Sequence, residues 1–406
     1  MRDQVPSKRR PAALAAAVAS VALAAPAGAG ATAWVIHGHG YGSGVGMSQW
    51  GAYGLARHGR QYGPILEHYY AHTHIGHVHA RPVRVLLGSR LGTVRFAGAR
   101  KACGRRLRRG RAYAFVAAGS GVALANARGR RIAACGGDGS ASGGPIHVLG
   151  KGTYRGRIVA RRRGRIQLVN HVRVQGYAKG VVPNEMPPSW PQPALRAQAV
   201  AARTYAIANE RHGAFDVYDD ARSQVYRGKG RETPATDRAV NASAGKVVTY
   251  RGQAVATYYF PTSGGYTEDV QNAFIGARPE PWLVGVKDPY DFYSPLHSWR
   301  AVRSSAAMRS ALAGLYSGRL RRIRVLKRGA SPRIVYAKVA GSGGGTRVSG
   351  PTLQSRLGLM STWLAFKRVR GSPAEARARL ERERPNAAVP RPPPRAGAAP
   401  MAPAGR

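Results

Sequence analysis

Glu185 has the residue type and the setting expected of an acid–base group. Pro183 and Pro187 flank it in the run Val-Pro-Asn-Glu-Met-Pro, so we expect a stiff, non-helical turn just before a helix. The neighbours that can desolvate its carboxyl are Val181, Val182, Met186 and Trp190. Desolvation would raise the pKa of the carboxyl and let it hold a proton near neutral pH. The alternative is a charge that only complements the dipole of the following helix.

A lone carboxyl group of this kind suits one particular way of breaking a glycosidic bond. Hydrolysis normally needs two carboxylates about 5–9 Å apart. The candidates for a second one share no motif with Glu185: Asp216, Asp219, Asp220, Glu268 and Asp269. In the other chemistry, a hydroxyl of the sugar attacks its own anomeric carbon and gives a 1,6-anhydro product. One residue then donates a proton to the leaving oxygen and removes one from the attacking hydroxyl.

A helix predicted over residues 192–212 follows Glu185. Pro191 and Pro193 suit its first turn, and Gly213 suits a C-terminal cap. Its expected buried stripe consists of Leu195, Ala199, Ala202 and Ala206. Polar residues recur two turns apart in the pairs Arg196/Arg203 and Gln198/Tyr205. They either line the groove around Glu185 or belong to a plain surface helix, and the sequence alone favours neither.

Two further segments carry side chains suited to sugar recognition. Residues 222–228 supply Gln224 and Tyr226. Residues 262–269 contain a Gly-Gly turn after an apolar run, and the polar side chains flanking it are Ser263, Thr267 and Glu268. An ordinary hairpin turn is the alternative for this second segment.

Several familiar templates are not met. The alternating glycines from Gly38 to Gly46 do not fit G-x-G-x-x-G, and Ser48 does not lie in a G-x-S-x-G turn, which disfavours a serine hydrolase. Four histidines alternate in an H-x-H-x-x-H-x-H run: His72, His74, His77 and His79. Exposed histidines on an edge strand are commoner than a metal site of this spacing, since no carboxylate accompanies them. We predict neither a metal nor a cofactor.

The chain is strongly basic. Its 406 residues include 64 Lys and Arg against 18 Asp and Glu, a net charge of +46. Ten of these cations are Lys and 54 are Arg, which indicates codon bias as a partial cause. The charge favours polyanionic partners such as wall polymers, membrane surfaces or nucleic acid. No nucleic-acid recognition motif is present, so we predict no specific nucleic-acid partner.

Two features indicate export. Residues 1–33 resemble a signal peptide, with a basic start, an apolar run over 11–25 and two small-x-small sites, Ala27-Gly28-Ala29 and Ala31-Thr32-Ala33. The apolar run is shorter than the roughly 20 residues of a membrane span, which favours cleavage over anchoring. The two cysteines, Cys103 and Cys135, can close one disulfide in an exported chain; two free buried thiols are the alternative.

The elements that must position these residues indicate a β-rich α+β fold with one principal amphipathic helix. After the signal peptide we predict a Gly-rich segment over 34–80, packed on a main domain over 81–300. That domain divides into a β-rich part, 81–175, and a part with Glu185, 176–300. An α/β extension covers 301–370, and a Pro/Ala/Arg-rich tail over 371–406 is expected to be disordered.

The runs around Glu185 match a known pattern over a long stretch. Residues 177–187 are Y-x-x-G-V-V-P-x-E-M-P, and residues 190–205 contain W-P and then A-L-x-A-Q-A-V-A-A-R-T-Y. Further matching runs are residues 46–52, 65–70, 224–226, 263–268 and 282–291. Together they resemble the family of sporulation stage II protein D and the LytB amidase enhancer, the SpoIID/LytB family, over most of residues 35–300.

The resemblance implies a wall location and, in the sporulation branch, lytic transglycosylase action on peptide-stripped glycan, with Glu185 as the catalytic acid. We therefore expect a secreted protein that cleaves MurNAc–GlcNAc bonds, in which Arg203 and Gln224 orient the substrate. The other expected substrate contacts are Ser48, Gln49, Gln198, Tyr205, Tyr226, Ser263, Thr267 and Glu268. The alternative is a non-catalytic wall-binding protein that stimulates an N-acetylmuramoyl-L-alanine amidase. Expected partners are peptidoglycan glycan strands, anionic wall polymers and such an amidase.

Three features depart from the family pattern. The Gly-Met-Ser-Gln-Trp run precedes the helix near Glu185, whereas many relatives carry it afterwards, which suggests a permuted arrangement with the two ends close in space. Ser43 stands where relatives usually have a histidine, with His37 and His39 nearby. Tyr218 and Ser223 stand where some relatives hold zinc through cysteines, so we predict no zinc there.

Overall fold

The computed structural model describes residues 31–77, 82–209 and 213–383. It contains 36% strand and 26% helix, so the predicted β-rich α+β class is confirmed. The helices of the described residues are Gln49–Arg57, Tyr62–Tyr69, Val174–Glu185, Gln192–Ala208, Pro234–Ala242, Val270–Ala273, Ser305–Ala311, Gly350–Leu357 and Pro373–Arg382. Single 3-10 turns occur at Gly228–Arg231 and Asp291–Tyr293. None of the helices described is long and apolar enough to cross a membrane.

Residues 83–172, extended by one short strand at Val217–Tyr218, build two antiparallel-rich sheets. In spatial order, the strands of the first are Val217–Tyr218, Val83–Leu91, Arg165–Val172, Arg157–Arg163, Gly139–Ser142, Lys101–Ala102 and Arg105–Arg106. Those of the second are Arg131–Ala134, Gly121–Asn126, Tyr113–Ala118, Thr93–Ala97, Ile146–Val148 and Gly152–Tyr154. Apolar residues alternate along these strands, and the inward-facing ones share one core.

A disulfide joins these two sheets. Cys103 directly follows a strand of the first sheet and Cys135 follows a strand of the second, and their sulfurs are bonded with the Cα atoms 4.7 Å apart. The two cysteines are 32 residues apart in the chain. Their bond therefore holds together the Arg-rich outer part of the β-rich region.

Two helices form the centre of the main core. The Glu185 helix (Val174–Glu185) packs against the long helix (Gln192–Ala208). The predicted stripe of the long helix is buried, but so are Gln198 and Arg203 on its other faces, since helices and the Lys246–Tyr250 strand surround it. Its many alanines permit this close packing. The helix ends at Ala208, where the Asn209 N–H bonds the carbonyl of Tyr205, so the predicted end at residue 212 with a Gly213 cap is wrong.

The Gly-rich segment is divided between two cores. Strand Thr32–His39 lies between Ser298–Ser304 and Trp363–Arg370, antiparallel to both, and Thr32 pairs with Arg370. The first and last described strands are thus neighbours, as a permuted arrangement requires. The next strand, Met47–Ser48, pairs in parallel with Tyr259–Phe260 and joins the main core. The segment 34–80 therefore does not pack as one unit on the main domain.

The first strand also limits where a leader could be removed. Ala33 is fully buried and pairs with Ser304 and Val369. Cleavage after Ala33, at the second predicted site, would cut inside this strand. The first predicted site lies outside the described residues.

Residues 298–383 and the first strand build the second core. A four-stranded sheet, in the order Tyr316–Ser317, Gly344–Ser349, Ile334–Gly341 and Leu320–Arg328, packs with helices Ser305–Ala311 and Gly350–Leu357. Residues 373–382 form a helix instead of the start of a disordered tail. Ser372 and Glu375 make a reciprocal capping box, and Ala376 packs against the first strand's core. The remaining described sheet contains Gln253–Ala254, Lys246–Tyr250 and His74–His77.

Candidate functional site

Glu185 is the last residue of the Glu185 helix, not part of a non-helical turn as predicted. Pro183 lies inside the final turn, because the fixed φ of proline is compatible with a helix and the burial of Val181 and Val182 holds the turn in place. The chain becomes extended only at Met186. Packing of this helix in the core therefore fixes the position of Glu185 at its C-terminal end.

Glu185 is buried, with 6% of the residue exposed. Its Oε1 accepts a hydrogen bond from the backbone N–H of Val225 at 3.0 Å, and the side chains of Gln49 and Tyr259 also bond to it. Burial raises the pKa of Glu185 to about 7, although each of these three donors acts to lower it. The group is therefore close to half protonated at neutral pH.

A chain of neutral hydrogen bonds orients one of these donors. The Tyr177 hydroxyl donates to Gln224 Oε1 at 2.9 Å, and Gln224 Nε2 donates to the Tyr259 hydroxyl oxygen at 2.8 Å. Since Tyr259 accepts from Gln224, its own hydrogen is directed to another acceptor, Glu185. Burial raises the pKa of Tyr177 and of Tyr259 well above the usual value, so both remain protonated donors.

The second side-chain donor, Gln49, comes from the N-terminal motif. It is the first residue of helix Gln49–Arg57, which Ser48 caps by accepting a hydrogen bond from the Gly51 N–H at 3.1 Å. Gln49 Nε2 also donates to Gln198 Oε1 at 3.4 Å, so the two amides brace each other beside Glu185. The structure thus brings together four predicted site residues, Glu185, Gln49, Gln198 and Gln224.

Four aromatic rings form a cluster that includes Trp50, the residue directly after Gln49. We name this cluster the aromatic platform, and its members are Trp50, Tyr53, Trp190 and Tyr293. Ring centroids of Trp190 lie 4.9 Å from those of both Trp50 and Tyr53, and Tyr53 lies 5.7 Å from Tyr293. All four rings are partly exposed. Arg57 is exposed and donates to the Tyr53 hydroxyl at 3.1 Å.

Ser48 and the 262–269 turn meet at a buried carboxylate, Asp291. It accepts from Ser48 Oγ at 2.9 Å and from the backbone N–H groups of Ser263 and Gly264 at 2.8 Å. Burial alone would raise its pKa, but hydrogen bonds from His297 and these neighbours hold the pKa of Asp291 below its usual range. Ser48 and Ser263 therefore fasten the N-terminal motif to the turn. The substrate contacts predicted for these two residues stay predictions.

Other predicted contacts are also engaged by the fold. Arg203 is 1% exposed, and its Nη atoms donate to the Lys246 carbonyl at 2.7 Å and to Gln175 Oε1 at 3.1 Å. Burial lowers the pKa of Arg203 to about 10. The guanidinium is thus bonded within the fold and does not contact Glu185 through any of these hydrogen bonds, and its predicted orienting role stays a prediction.

Tyr205, Tyr226, Thr267 and Glu268 likewise lie inside the protein. The Tyr205 ring packs edge-on against Tyr258, and the Tyr226 hydroxyl donates to Asn170 Oδ1 at 2.7 Å. Thr267 Oγ1 accepts from the Val286 N–H at 2.8 Å. The carboxylate of Glu268 accepts from Ala330 N at 2.8 Å and from Ser331 Oγ at 2.6 Å. All four side chains are therefore held by contacts within the fold, and the substrate contacts predicted for them stay predictions.

The candidate second carboxylates have partners of their own. Asp216 pairs with Arg84 and Asp220 with Arg222, at 2.6 and 2.7 Å. Asp269 accepts from the Gly285 N–H at 2.7 Å. For Asp219, burial raises the pKa. Within the described residues, no carboxylate hydrogen bonds to Glu185.

The histidines near the N-terminus do not join the site. His72, His74 and His77 are exposed, and His79 lies outside the described residues. His39 stacks on Trp363 with centroids 4.9 Å apart, and Ser43 Oγ accepts from the Val45 N–H at 3.3 Å. Over residues 31–77, 82–209 and 213–383, no group of His, Cys, Asp or Glu side chains is arranged to hold a metal ion.

Sequence reasoning missed Tyr259, the Val225 N–H and most of the aromatic platform. Tyr259 belongs to an apolar run that is typical of a buried strand, and a backbone N–H leaves no trace in side-chain patterns. A signal for the platform was present in Trp50 and Trp190, which directly follow the two motifs, but their proximity needs the fold.

A family model described as Stage II sporulation protein, SpoIID, matches residues 162–250, which include Glu185, Gln198 and Gln224. The resemblance to the SpoIID/LytB family is confirmed. The amidase enhancer of Bacillus subtilis is 41% identical over 113 residues, 28% of this chain and 15% of that protein. Stage II sporulation protein D of Bacillus subtilis is 29% identical over 221 residues, 50% of this chain and 62% of the relative.

An uncharacterized protein of Brachyspira hyodysenteriae is 41% identical over 123 residues, 29% of this chain and 33% of that protein. The chain spans less than two thirds of the length of each of these three relatives. The stretch matched by the family model carries Glu185, and much of each relative has no counterpart in the matched stretches.

Proposed function

We propose that this protein is a secreted peptidoglycan lytic transglycosylase that cleaves MurNAc–GlcNAc glycan strands to 1,6-anhydro products. The observation that carries the proposal is the state of Glu185, a buried carboxyl with a pKa of about 7 that is held by neutral donors. A group half protonated at neutral pH can serve first as a general acid and then as a general base.

In the first half of the reaction, protonated Glu185 donates its proton to the glycosidic oxygen as the bond from that oxygen to the anomeric carbon of MurNAc breaks. The donors from Val225, Gln49 and Tyr259 then stabilise the carboxylate that forms. In the second half, the carboxylate removes the proton from the MurNAc C6 hydroxyl while that oxygen bonds the anomeric carbon. Glu185 is protonated again, and no water enters either product.

The aromatic platform supplies a surface on which the sugar rings of a strand can pack. It begins beside Gln49 and is partly exposed, so a strand held across Trp50 and Trp190 would pass close to Glu185. The similarity to a sporulation protein and to an amidase enhancer supports a wall substrate. A location outside the cell is part of the proposal.

A second candidate is a non-catalytic wall-binding protein that stimulates an N-acetylmuramoyl-L-alanine amidase. The 41% identity with the amidase enhancer favours it. In this case Glu185 would have no catalytic role. The purified protein would raise the rate of an added amidase without cutting glycan itself.

The experiment is mass spectrometry of glycan strands, intact and amidase-stripped, after incubation with the wild type or with Glu185→Gln. Anhydro-muramyl fragments from the wild type alone support the transglycosylase. Intact strands from both proteins, together with faster peptide release when amidase is added, would favour the second candidate.

A further inference from the structure

The four-stranded sheet of the second core has one face made of cations. Arg324 pairs directly with Lys338, and Lys338 pairs with Arg347 on the next strand. Residues directly opposite each other project from the same side of a sheet, so these three form one row. Two more cations, Arg322 and Lys327, pair with residues two positions from Lys338 and so share its face. We name the row of Arg324, Lys338 and Arg347 the basic row.

The opposite face of the same sheet belongs to the core. It is formed by Ile323, Val325, Ala337, Val339 and Val348. The basic row therefore points outward, and Arg324 and Arg347 are exposed while Lys338 is partly buried between them. Because one face of the sheet is buried, the pairing register of its strands is fixed. The three cations therefore cannot move apart by a shift of one strand along another.

The basic row is unfavourable for the folded protein by itself. Neighbouring strands are only about 5 Å apart, and like charges directly opposite each other are destabilising. Residues 301–370 contain 15 Lys and Arg and no Asp or Glu, so no nearby acidic side chain of this part of the chain can neutralise the row. In the part of the chain that the structure describes, none of the three cations forms an ion pair.

The chemistry of the row indicates a polymer of phosphates. The Arg347 guanidinium lies 3.8 Å from the centroid of the Tyr336 ring, which holds it over that ring. Guanidinium groups match phosphate oxygens with two parallel hydrogen bonds, and Lys338 adds a point charge between them. Codon bias toward Arg does not account for the centre of the row, because Lys338 is one of only ten lysines in the chain.

We propose that the basic row binds a phosphodiester-linked anionic polymer of the cell wall. This inference rests on the wall location in the proposed function, but not on glycan cleavage. Several phosphates along one flexible strand would meet the cations together, and the release of counterions would make the affinity fall steeply with salt. The row would thus retain the protein on the wall while Glu185 acts elsewhere on the molecule.

The test measures co-sedimentation of the full chain, carrying Glu185→Gln to prevent cutting, with purified walls. A site variant combines Arg324→Gln, Lys338→Gln and Arg347→Gln. A control variant combines Arg309→Gln, Lys367→Gln and Arg356→Gln, which are exposed cations of the same core with the same total charge. We expect the site variant to bind about tenfold more weakly and the control variant to change much less. Hydrofluoric acid removes phosphate-linked polymers from walls. The protein with an unsubstituted basic row should bind these stripped walls as weakly as the site variant binds intact walls.

Thermal unfolding supplies an independent readout. Removal of a repelling row should leave the melting temperature of the site variant equal or higher, so weaker binding cannot be attributed to unfolding. Equal losses for the two variants, or full binding to stripped walls, would overturn the proposal. Displacement of the wall polymer by an equal phosphate concentration of duplex DNA would indicate a nucleic-acid site instead. A failure of glycan cleavage would leave all of these binding results unaffected.

Discussion

At the scale of single residues, burial of Glu185 makes the stability of the fold depend on pH. Its pKa is about 7 in the folded chain, against 4.5 for an unperturbed glutamate. Because the folded state binds the proton more tightly, stability is lost as the pH rises from about 4.5 to about 7. The difference between the two pKa values corresponds to about 3 kcal/mol.

Glu185→Gln should therefore stabilise the protein only at high pH. We expect its free energy of unfolding to match the wild type at pH 4 and to exceed it by up to about 3 kcal/mol at pH 8. Denaturant unfolding of both proteins at the two pH values measures this. Equal free energies of unfolding at pH 8 would contradict this prediction, because they would mean that burial of the Glu185 carboxylate does not destabilise the fold.

Tyr259→Phe removes one donor to Glu185 and leaves the ring in place. Since that donor acts to lower the pKa of Glu185, the alkaline limb of the pH–rate profile should move to higher pH. The maximal rate should fall about tenfold, because the free energy of a hydrogen bond to a charged group corresponds to roughly that factor in rate. Tyr258→Phe is the control, because its ring packs on Tyr205 and Phe274. Identical pH profiles for the two variants would contradict the assigned contact.

At the scale of elements, the aromatic platform is built from three segments that are distant in sequence. Trp50 lies at the start of helix Gln49–Arg57, Trp190 in the turn before helix Gln192–Ala208, and Tyr293 in the 3-10 turn Asp291–Tyr293. This assembly depends on Asp291, which fastens the N-terminal motif to the turn after Tyr259–Phe260.

Trp190→Ala should weaken the binding of glycan strands with little change in the chemical step. Loss of ring packing worth about 1 kcal/mol predicts a several-fold rise in KM with kcat nearly unchanged. Trp190→Tyr keeps an aromatic ring and should restore most of the affinity. Steady-state kinetics on strands of defined length provide the measurement. A fall in kcat with unchanged KM would show that Trp190 supports Glu185 and not the strand.

Only part of the Glu185 site can be predicted from the sequence. The burial of Glu185 and its raised pKa follow from apolar neighbours that are visible in the sequence, and so does the long helix. The helical state of Glu185 does not, because the prolines around it normally disfavour a helix and only tertiary packing overrides them. For Arg203 the sequence alone favours neither a groove nor a surface position, and it does not predict the buried position that the structure shows. Its true acceptors, on Gln175 and Lys246, are contributed by other elements.

At the scale of the whole molecule, the described residues form two large cores, and the first strands contribute to both. The strand that begins at Thr32 completes the second core, and the motif at 47–49 completes the site in the first. The sequence indicated the permuted order of the motif, but it could not show that residues 32–39 belong with 298–383, since strand pairing is long range.

The disulfide should stabilise the whole fold without affecting the chemistry. Replacing Cys103 and Cys135 with Ala opens a covalent link over 32 residues and should lower the free energy of unfolding by about 3 kcal/mol. Glycan products at 25 °C should remain the same, because the bond lies between the two sheets of the β-rich part, outside the Glu185 site. Thermal unfolding with and without reductant supplies the measurement. Equal stability of the two proteins, or altered products, would contradict this assignment.

In the proposed reaction, Glu185 alone moves both protons and the C6 hydroxyl takes the place of water. This is tested by digestion of amidase-stripped glycan in ¹⁸O-labelled water, followed by mass spectrometry. We expect anhydro-muramyl ends without label from the wild type and intact strands from Glu185→Gln. Reducing ends that carry one ¹⁸O would contradict the proposed reaction, because they would require an activated water and a second catalytic group.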